Sequence, residues 1–383
     1  MSDTNAVGLF YSKESTAWGE TEADPLIALR YAGESLAPEL QTIISNEINT
    51  DRNVSDVVRT QISASGEVNG EISYGTLDTL LEGGVQEEWS TPITTTASLT
   101  AVAAGNKFTG TDWAAAGWVA GMRFKSSGWT DPGNNGVGWV VSANTTDLVV
   151  GGLTLVNEGP ASRTITNGGM LRNGSVFTSF TLEKQFTDLT NIFHILRGMA
   201  INTMGFNVQV GSISTWTAAF LGKSVEAAAA TAGTGGPTAA NTNDVLNAID
   251  NVTAIYQGGT LSTLDITAIS FNMNNNLRAR YAIGSASAVG ISSGQFNVEG
   301  NFTAYFEDSV LFEQFTDFVT TSLSFRLYDA AGNSLMVTLP AIKFTTGRAV
   351  AGGKDGDVMA ELGFMAKKDA TTGCMIQFDR IAA

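Results

Sequence analysis

A chain of 383 residues is longer than one ordinary hydrophobic core accommodates and points to two or three packed units. A net charge of −16, with only 15% charged residues, argues against an electrostatic grip on DNA or RNA, and a single cysteine excludes an intrachain disulfide. Hydrophobic content of 43%, 42 glycines and recurrent Thr, Ser and Asn suit a mainly β protein with much of its surface hidden in contacts. The start, Met1-Ser2-Asp3-Thr4-Asn5, carries no signal-peptide pattern, and no apolar run approaches the ~20 residues of a membrane helix, so no membrane insertion is expected. The lone cysteine fits synthesis in a reducing cytoplasm.

Along the chain, Leu9-Phe10-Tyr11-Ser12 reads as a strand. An extended segment through Trp18 and Pro25 follows, of the kind that lies on a neighbour. Two strands come next, Gln41 to Asn49 and Gly66 to Tyr74. In the second, Glu67, Asn69, Glu71 and Ser73 share one face while Val68, Gly70, Ile72 and Tyr74 share the other. Thr76 to Leu81 is a short helical or turn segment, closed by Gly83-Gly84. The texture then changes. Residues 86–175 are nearly neutral and hold Trp89, Trp113, Trp118, Trp129 and Trp139. Their turn signals, such as Asp131-Pro132-Gly133, separate strand candidates at Gly121 to Ser126, Gly138 to Ala143, Leu148 to Leu155 and Ser162 to Thr166. This is read as an inserted small β-domain.

Phe177 to Lys184 is a strand, and Asp188 to Met199 has the apolar spacing of an amphipathic helix. Strands resume between Gly205 and Phe220. Residues 224–243 are a low-complexity linker or flexible loop, Val245 to Tyr256 is a candidate helix, and a further helix is expected around Ser309 to Val319 among strands that run to Ala383. The division is residues 1–85 and 176–243 for a first unit with its linker, 86–175 for the insert, and 244–383 for a second unit.

The second unit echoes the first. Ser45 to Asp51 can be laid on Ser270 to Asn276, and Val68 to Ser73 on Val298 to Thr303; with that second offset Asp78 meets Asp308 and Leu81 meets Leu311. Phe206 to Gln209 against Phe296 to Glu299 is a weaker third echo. If the ancestral unit formed a six-fold ring, a fused pair needs three chains to close it, which predicts a trimeric, pseudo-hexameric ring.

No catalytic constellation can be assembled, and the chain is read as not an enzyme. The only histidine, His194, sits beside Phe193, and Cys374 has no basic partner in its sequence neighbourhood; one His and one Cys make a zinc site of standard ligand type nearly impossible, and no metal or cofactor is expected. Asp355-Gly356-Asp357 and Glu307-Asp308 do not fit the spacing of a calcium loop. Gly222-Lys223-Ser224 matches only the tail of a phosphate loop, because the glycine required five residues earlier is Thr217.

Several segments carry a likeness to a family: Tyr31 to Leu36, Ser45 to Arg52, Gly66 to Ser73, Gly300 to Phe306, Asp329 to Asn333 and Leu339 to Phe344. Together with the tryptophan-rich insert they resemble the tail-tube proteins of long, non-contractile tailed phages. The resemblance implies β-sandwich domains, one sheet of each contributing to a ring-shared β-barrel around a channel. Rings stack into a tube that conducts DNA during ejection, in the virion tail, after assembly in the host cytoplasm. It implies as partners further copies of the chain, neighbouring rings through the N-terminal arm and loops, the tape-measure protein and passing DNA without specific binding, and the tail-terminator and tail-tip proteins. The polar strand face then becomes candidate bore lining: Glu67, Asn69, Glu71 and Ser73, with Asn297, Glu299 and Asn301 from the second copy. The insert is expected on the outside. The competing reading is a secreted or surface carbohydrate-binding β-protein that stacks sugars on Trp129 and Trp139.

Overall fold

Alternating small polar and β-branched residues make strands through most of the chain. The computed structural model describes residues 2–14, 17–20, 25–261, 264–307, 309–351, 353–354 and 356–383, and it is mainly β with two short α-helices. In chain order the first part holds β1 (Val7–Glu14), β2 (Ile27–Ala28), β3 (Gly33–Glu34), β4 (Ala37–Ile44), β5 (Val57–Glu71) and α1 (Asp78–Val85). Then come β6 (Ile93–Val102), β7 (Lys107–Thr109), β8 (Arg123–Ser127), β9 (Gly136–Ala143), β10 (Asp147–Gly151) and β11 (Glu158–Asn167), followed by β12 (Met170–Arg172). The first part resumes with β13 (Ser179–Phe186), β14 (Phe193–Gln209), β15 (Thr215–Gly222) and β16 (Ser224–Ala228). The remainder holds β17 (Val252–Gln257), β18 (Thr260–Leu261), β19 (Ile266–Asn274), β20 (Arg278–Arg280), β21 (Gly290–Ser292), β22 (Asn297–Tyr305), α2 (Val310–Thr316), β23 (Thr321–Tyr328), β24 (Ser334–Ala351), β25 (Val358–Ala366) and β26 (Gln377–Ile381).

The two halves repeat one pairing scheme. In the first the order is β1, β13, β14, β15, β5, β4, with β16 also on β14. In the second it is β17, β23, β24, β25, β22, β19, with β26 also on β24. Even the irregularities coincide. The register slips between Ile201 and Thr203 in β14 and between Phe344 and Thr346 in β24, where each long strand leaves one sheet for the other. A Cβ at Gly66 would strike the backbone of Leu36 and Ser35, and one at Gly300 would strike Ser270 and Phe271. A left-handed residue follows each helix, Gln86 (φ 55) directly after α1 and Phe318 (φ 52) after Asp317 at the end of α2.

These equivalences correct the register of the sequence repeat. Val68 corresponds to Phe302 rather than Val298, and Ser35 to Glu39, rather than Ser45 to Asp51, correspond to the stretch from Ser270. Strands with period-2 alternation resemble one another at any even offset, and an even slip leaves every side chain on the same face. Asp308, which entered that comparison, and Asp355 lie outside the described residues.

Three other expectations fail locally. Asp188 to Met199 is a turn leading into β14; a bulge opposite Phe180 and Leu182 places Leu196 and Met199 three residues apart on the same core, and so imitates a helical spacing. The candidate helix from Val245 is a turn held by Asn247, whose Oδ1 accepts from the N–H groups of Ile249 (2.8 Å) and Asp250 (2.7 Å), and strand β17 follows. The expected linker begins with a paired strand, β16. The N-terminal segment also folds back on its own chain: β1 pairs with β13, and Trp18 Nε1 donates to Gly198 O at 2.9 Å.

One apolar core runs through both halves, with Phe206 stacked on Phe271 at a centroid distance of 5.0 Å. Strands β6 to β11 close into a separate six-stranded barrel around Phe108, Trp113, Trp118, Phe124, Trp129 and Ile165. Its two ends meet, since Ser90 N donates to Met170 O at 2.8 Å. The barrel is fixed to the second half by a buried polar cluster. Asp379 accepts from Arg123 N (3.1 Å), Asn167 Nδ2 (3.1 Å) and Gln377 Nε2 (2.6 Å), and the Arg123 guanidinium donates to Ser324 Oγ at 2.9 Å.

Candidate functional site

Seven strands run side by side as β5, β15, β14, β19, β22, β25 and β24, joined across the two halves by the β14–β19 ladder. One face of this sheet is core: Val68, Trp216, Phe206, Phe271, Phe302 and Phe364 are buried. The opposite face follows from the two-residue period. Register places Glu71 beside Thr215, then Asn207, Ser270, Asn301, Gly363 and Thr346, one unbroken polar row across all seven strands. The next row runs from Asn69 through Thr217, Gly205 and Asn272 to Glu299.

This polar face is concave. A trough of about 560 Å³ is lined from six of the strands, by Asn207, Thr217, Asn272, Glu299, Asn301 and Thr346 among others. Curvature of this sense follows from the bulges in β14 and β24 and from residues without bulk on the inner face, such as Gly205 and Gly363. The charges on the face are few and mostly acidic: Glu67, Glu71, Glu299 and Glu361 against Lys343 and Arg348. The two cations are tied down, Arg348 by donating from Nε to Glu361 Oε2 at 2.7 Å and Lys343 to Phe318 O at 2.9 Å.

The structure brings Glu67, Asn69, Glu71, Asn297, Glu299 and Asn301 onto this one face. Ser73 is not with them. It is 3% exposed, beyond the end of β5, and its hydroxyl lies against Thr76 Oγ1 and accepts from Arg30 Nη1 at 3.1 Å. The alternation that put it on the polar face stops where β5 stops. Sequence reasoning missed Asn207, Thr217, Ser270 and Asn272. Each lies in an alternating segment, but only the pairing shows that these segments abut β5 and β22.

The other groups considered from sequence are placed as follows, as far as the described residues go. His194 lies on β14 with its ring edge-on to Phe186 at 5.0 Å. Cys374 is buried, its thiol pushed up by that burial. Gly222-Lys223-Ser224 joins two strands rather than a strand and a helix, and Lys223 Nζ sits over the Trp18 ring at 5.4 Å. Among the described residues no group of three or more His, Cys, Asp or Glu is placed to hold a metal, and no helix is long and apolar enough to cross a membrane. The sugar-stacking tryptophans are otherwise engaged. Trp129 is in the barrel core, stacked on Phe108 at 5.1 Å, and Trp139 is wedged between Tyr256 (5.2 Å) and Arg123 (5.0 Å).

A family profile described as phage tail tube protein matches residues 4–366. A search of curated proteins returns no match.

Proposed function

Because the chain belongs to the phage tail tube protein family, a structural component of the virion tail, we propose that three copies close into a ring whose inner wall is the concave polar face. Rings stack into a tube, and DNA passes along the bore during ejection. The observation that carries this reading is the polar row from Glu71 to Thr346, continuous across both halves of a duplicated fold. A wall of amides, hydroxyls and glycines with a small acidic excess offers phosphates no cationic site, because its arginine is already paired. Two equivalent halves per chain supply six repeats from three chains.

In this reading residues 1–85 and 176–243 form the first tube unit and 244–383 the second, and residues 86–175 form an insert on the side away from the bore. Glu67, Asn69, Glu71, Asn297, Glu299 and Asn301 line the channel, with the tape-measure protein and then DNA inside it. The tail-terminator and tail-tip proteins meet the ends of the tube, assembly takes place in the host cytoplasm, and no cofactor or catalysis is involved.

Electron microscopy of the purified protein tests the assembly, and native mass measurement of isolated rings tests its order. Hollow tubes and rings of three chains are expected. Monodisperse single chains at every concentration would overturn the reading, and rings of six chains would overturn the trimer.

A further inference from the structure

The joint between the two halves is filled once inside the chain, and both of its sides are present again, unfilled. In the filled joint the C-terminal part of β14 pairs antiparallel with β19, from Thr203 opposite Asn274 to Gln209 opposite Ala268. The second-half equivalent of that part of β14 is Thr346 to Ala351 of β24. It pairs with β25 on one side and, among the described residues, with no strand on the other. The first-half equivalent of β19 is the stretch from Gly33 to Glu39, which pairs with β5 on one side and likewise has an open edge. The bulges and the Gly66/Gly300 contacts fix the correspondence to the residue: Thr203 with Thr346, Phe271 with Leu36, Asn274 with Glu39.

A second contact repeats the pattern. The end of α1 is covered by the second-half hairpin, where Asn275 Nδ2 donates to Gly84 O (3.0 Å) and Gln86 Nε2 to Ser293 Oγ (2.7 Å). At the end of α2, Phe318 stands in the place of Gln86 and is 53% exposed. The corresponding hairpin, β4 and β5, carries Leu40 in the place of Asn275, 59% exposed, with Ile43 and Val58 also exposed beside it. Both uncovered surfaces are apolar where the covered pair is polar, as expected of surfaces that must find each other in solution.

We propose that neighbouring chains join by repeating this internal joint: Glu34 to Glu39 of one copy pairs antiparallel with Thr346 to Ala351 of the next, with Glu39 opposite Thr346, Ala37 opposite Arg348 and Ser35 opposite Val350, while the β4–β5 hairpin covers Phe318. The proposal rests on the ring reading above and deepens it to a register. The contact is heterologous, so every chain offers one side and receives the other, and repeating the internal rotation closes the circle. Two features differ from the internal joint. Pro38 replaces Met273 and brings no N–H, which removes one rung. In the single chain the outward N–H of Leu36 donates to Glu34 Oε2 (2.8 Å) and its carbonyl accepts from Lys184 Nζ (2.6 Å). These side chains cover the edge before assembly, guard it against wrong partners, and release it on pairing.

The test is an interchain disulfide in the full chain. Thr203 and Asn274 form a non-hydrogen-bonded pair beside the rung at which Asn275 N donates to Asn202 O (2.8 Å), so their equivalents suit a cystine. Glu39→Cys with Thr346→Cys is expected to give, on oxidation, a covalent three-chain species on a non-reducing gel that reductant returns to single chains. Ser35→Cys with Thr346→Cys, four residues out of register, is expected to stay single. Tubes seen by microscopy with no cross-link in the first pair, or with equal cross-linking in both, would overturn the register and leave the tube reading standing. Absence of tubes from the unmodified protein would overturn the tube reading itself. Phe318→Asp supplies a check independent of disulfide chemistry: its thermal unfolding as a single chain should match the parent while ring formation is lost, and normal rings from this variant would overturn the hairpin contact.

Discussion

Asp379 shows how one side chain joins the six-stranded barrel to the second half. It is fully buried, and that burial raises its carboxyl to about 6 despite three donors. A folded-state value above the unfolded value of about 3.9 means that the folded protein binds the proton more readily. The associated stabilisation is complete below pH 4 and is lost as the pH rises through 6. Asp379→Asn removes this titration. Denaturant unfolding of parent and variant between pH 4 and 7 should therefore diverge by about 2 kcal/mol over that range, with the parent gaining stability toward acid. A difference that does not change with pH would show that Asp379 is not held neutral by burial. Glu158 on the barrel behaves in the opposite sense. It accepts from the N–H groups of Thr130 and Asp131, from Asn134 and from Arg163, which bring its carboxyl down to about 2, so its contribution is present above pH 4.5 and is lost as the pH falls toward 2.

At the scale of elements, the equivalent strands β5 and β22 each put carboxylates on the concave face, Glu71 from one half and Glu299 from the other. Both side chains are exposed, so reversing their charge costs the fold little. Glu71→Lys with Glu299→Lys replaces two acids per chain with bases, twelve units of charge per ring of three by the arithmetic of the proposed assembly. The expected outcome is tubes of normal appearance and slowed, salt-sensitive DNA release, read by the rate of DNA ejection from virions that carry the variant. Unchanged ejection would take these residues out of the bore.

For the whole molecule, the insert and the duplicated fold are separable in design. The barrel closes on its own core, and its ends are bridged by Ser90 and Met170. Replacing residues 91–169 with a short glycine turn should leave both halves able to pair. Removal exposes the Asp379 cluster to water, which relieves its burial rather than stranding a charge. Tubes of this variant are expected to be thinner outside with an unchanged bore in electron micrographs, and a narrowed or absent bore would place the insert in the wall.

Residue order alone carried the β class, the acidic and weakly charged character, the helical segments near Asp78 and Val310, the tryptophan-rich stretch and the existence of a repeat. Each of these depends on composition or on local alternation, which a strand such as Gly66 to Glu71 displays wherever it lies in space. The concave face could be only partly read, at Glu67, Asn69, Glu71, Asn297, Glu299 and Asn301, because Asn207, Thr217, Ser270 and Asn272 become their neighbours only through pairings between distant segments. Tertiary structure decided the four-residue correction of the repeat, since an even slip leaves the pattern of faces unchanged. It also decided that Leu196 and Met199 belong to a bulged strand rather than a helix. The same long-range pairing leaves Gly33 to Glu39 and Thr346 to Ala351 as open edges of one joint, a relation that no local pattern encodes because its two sides are separated by most of the chain.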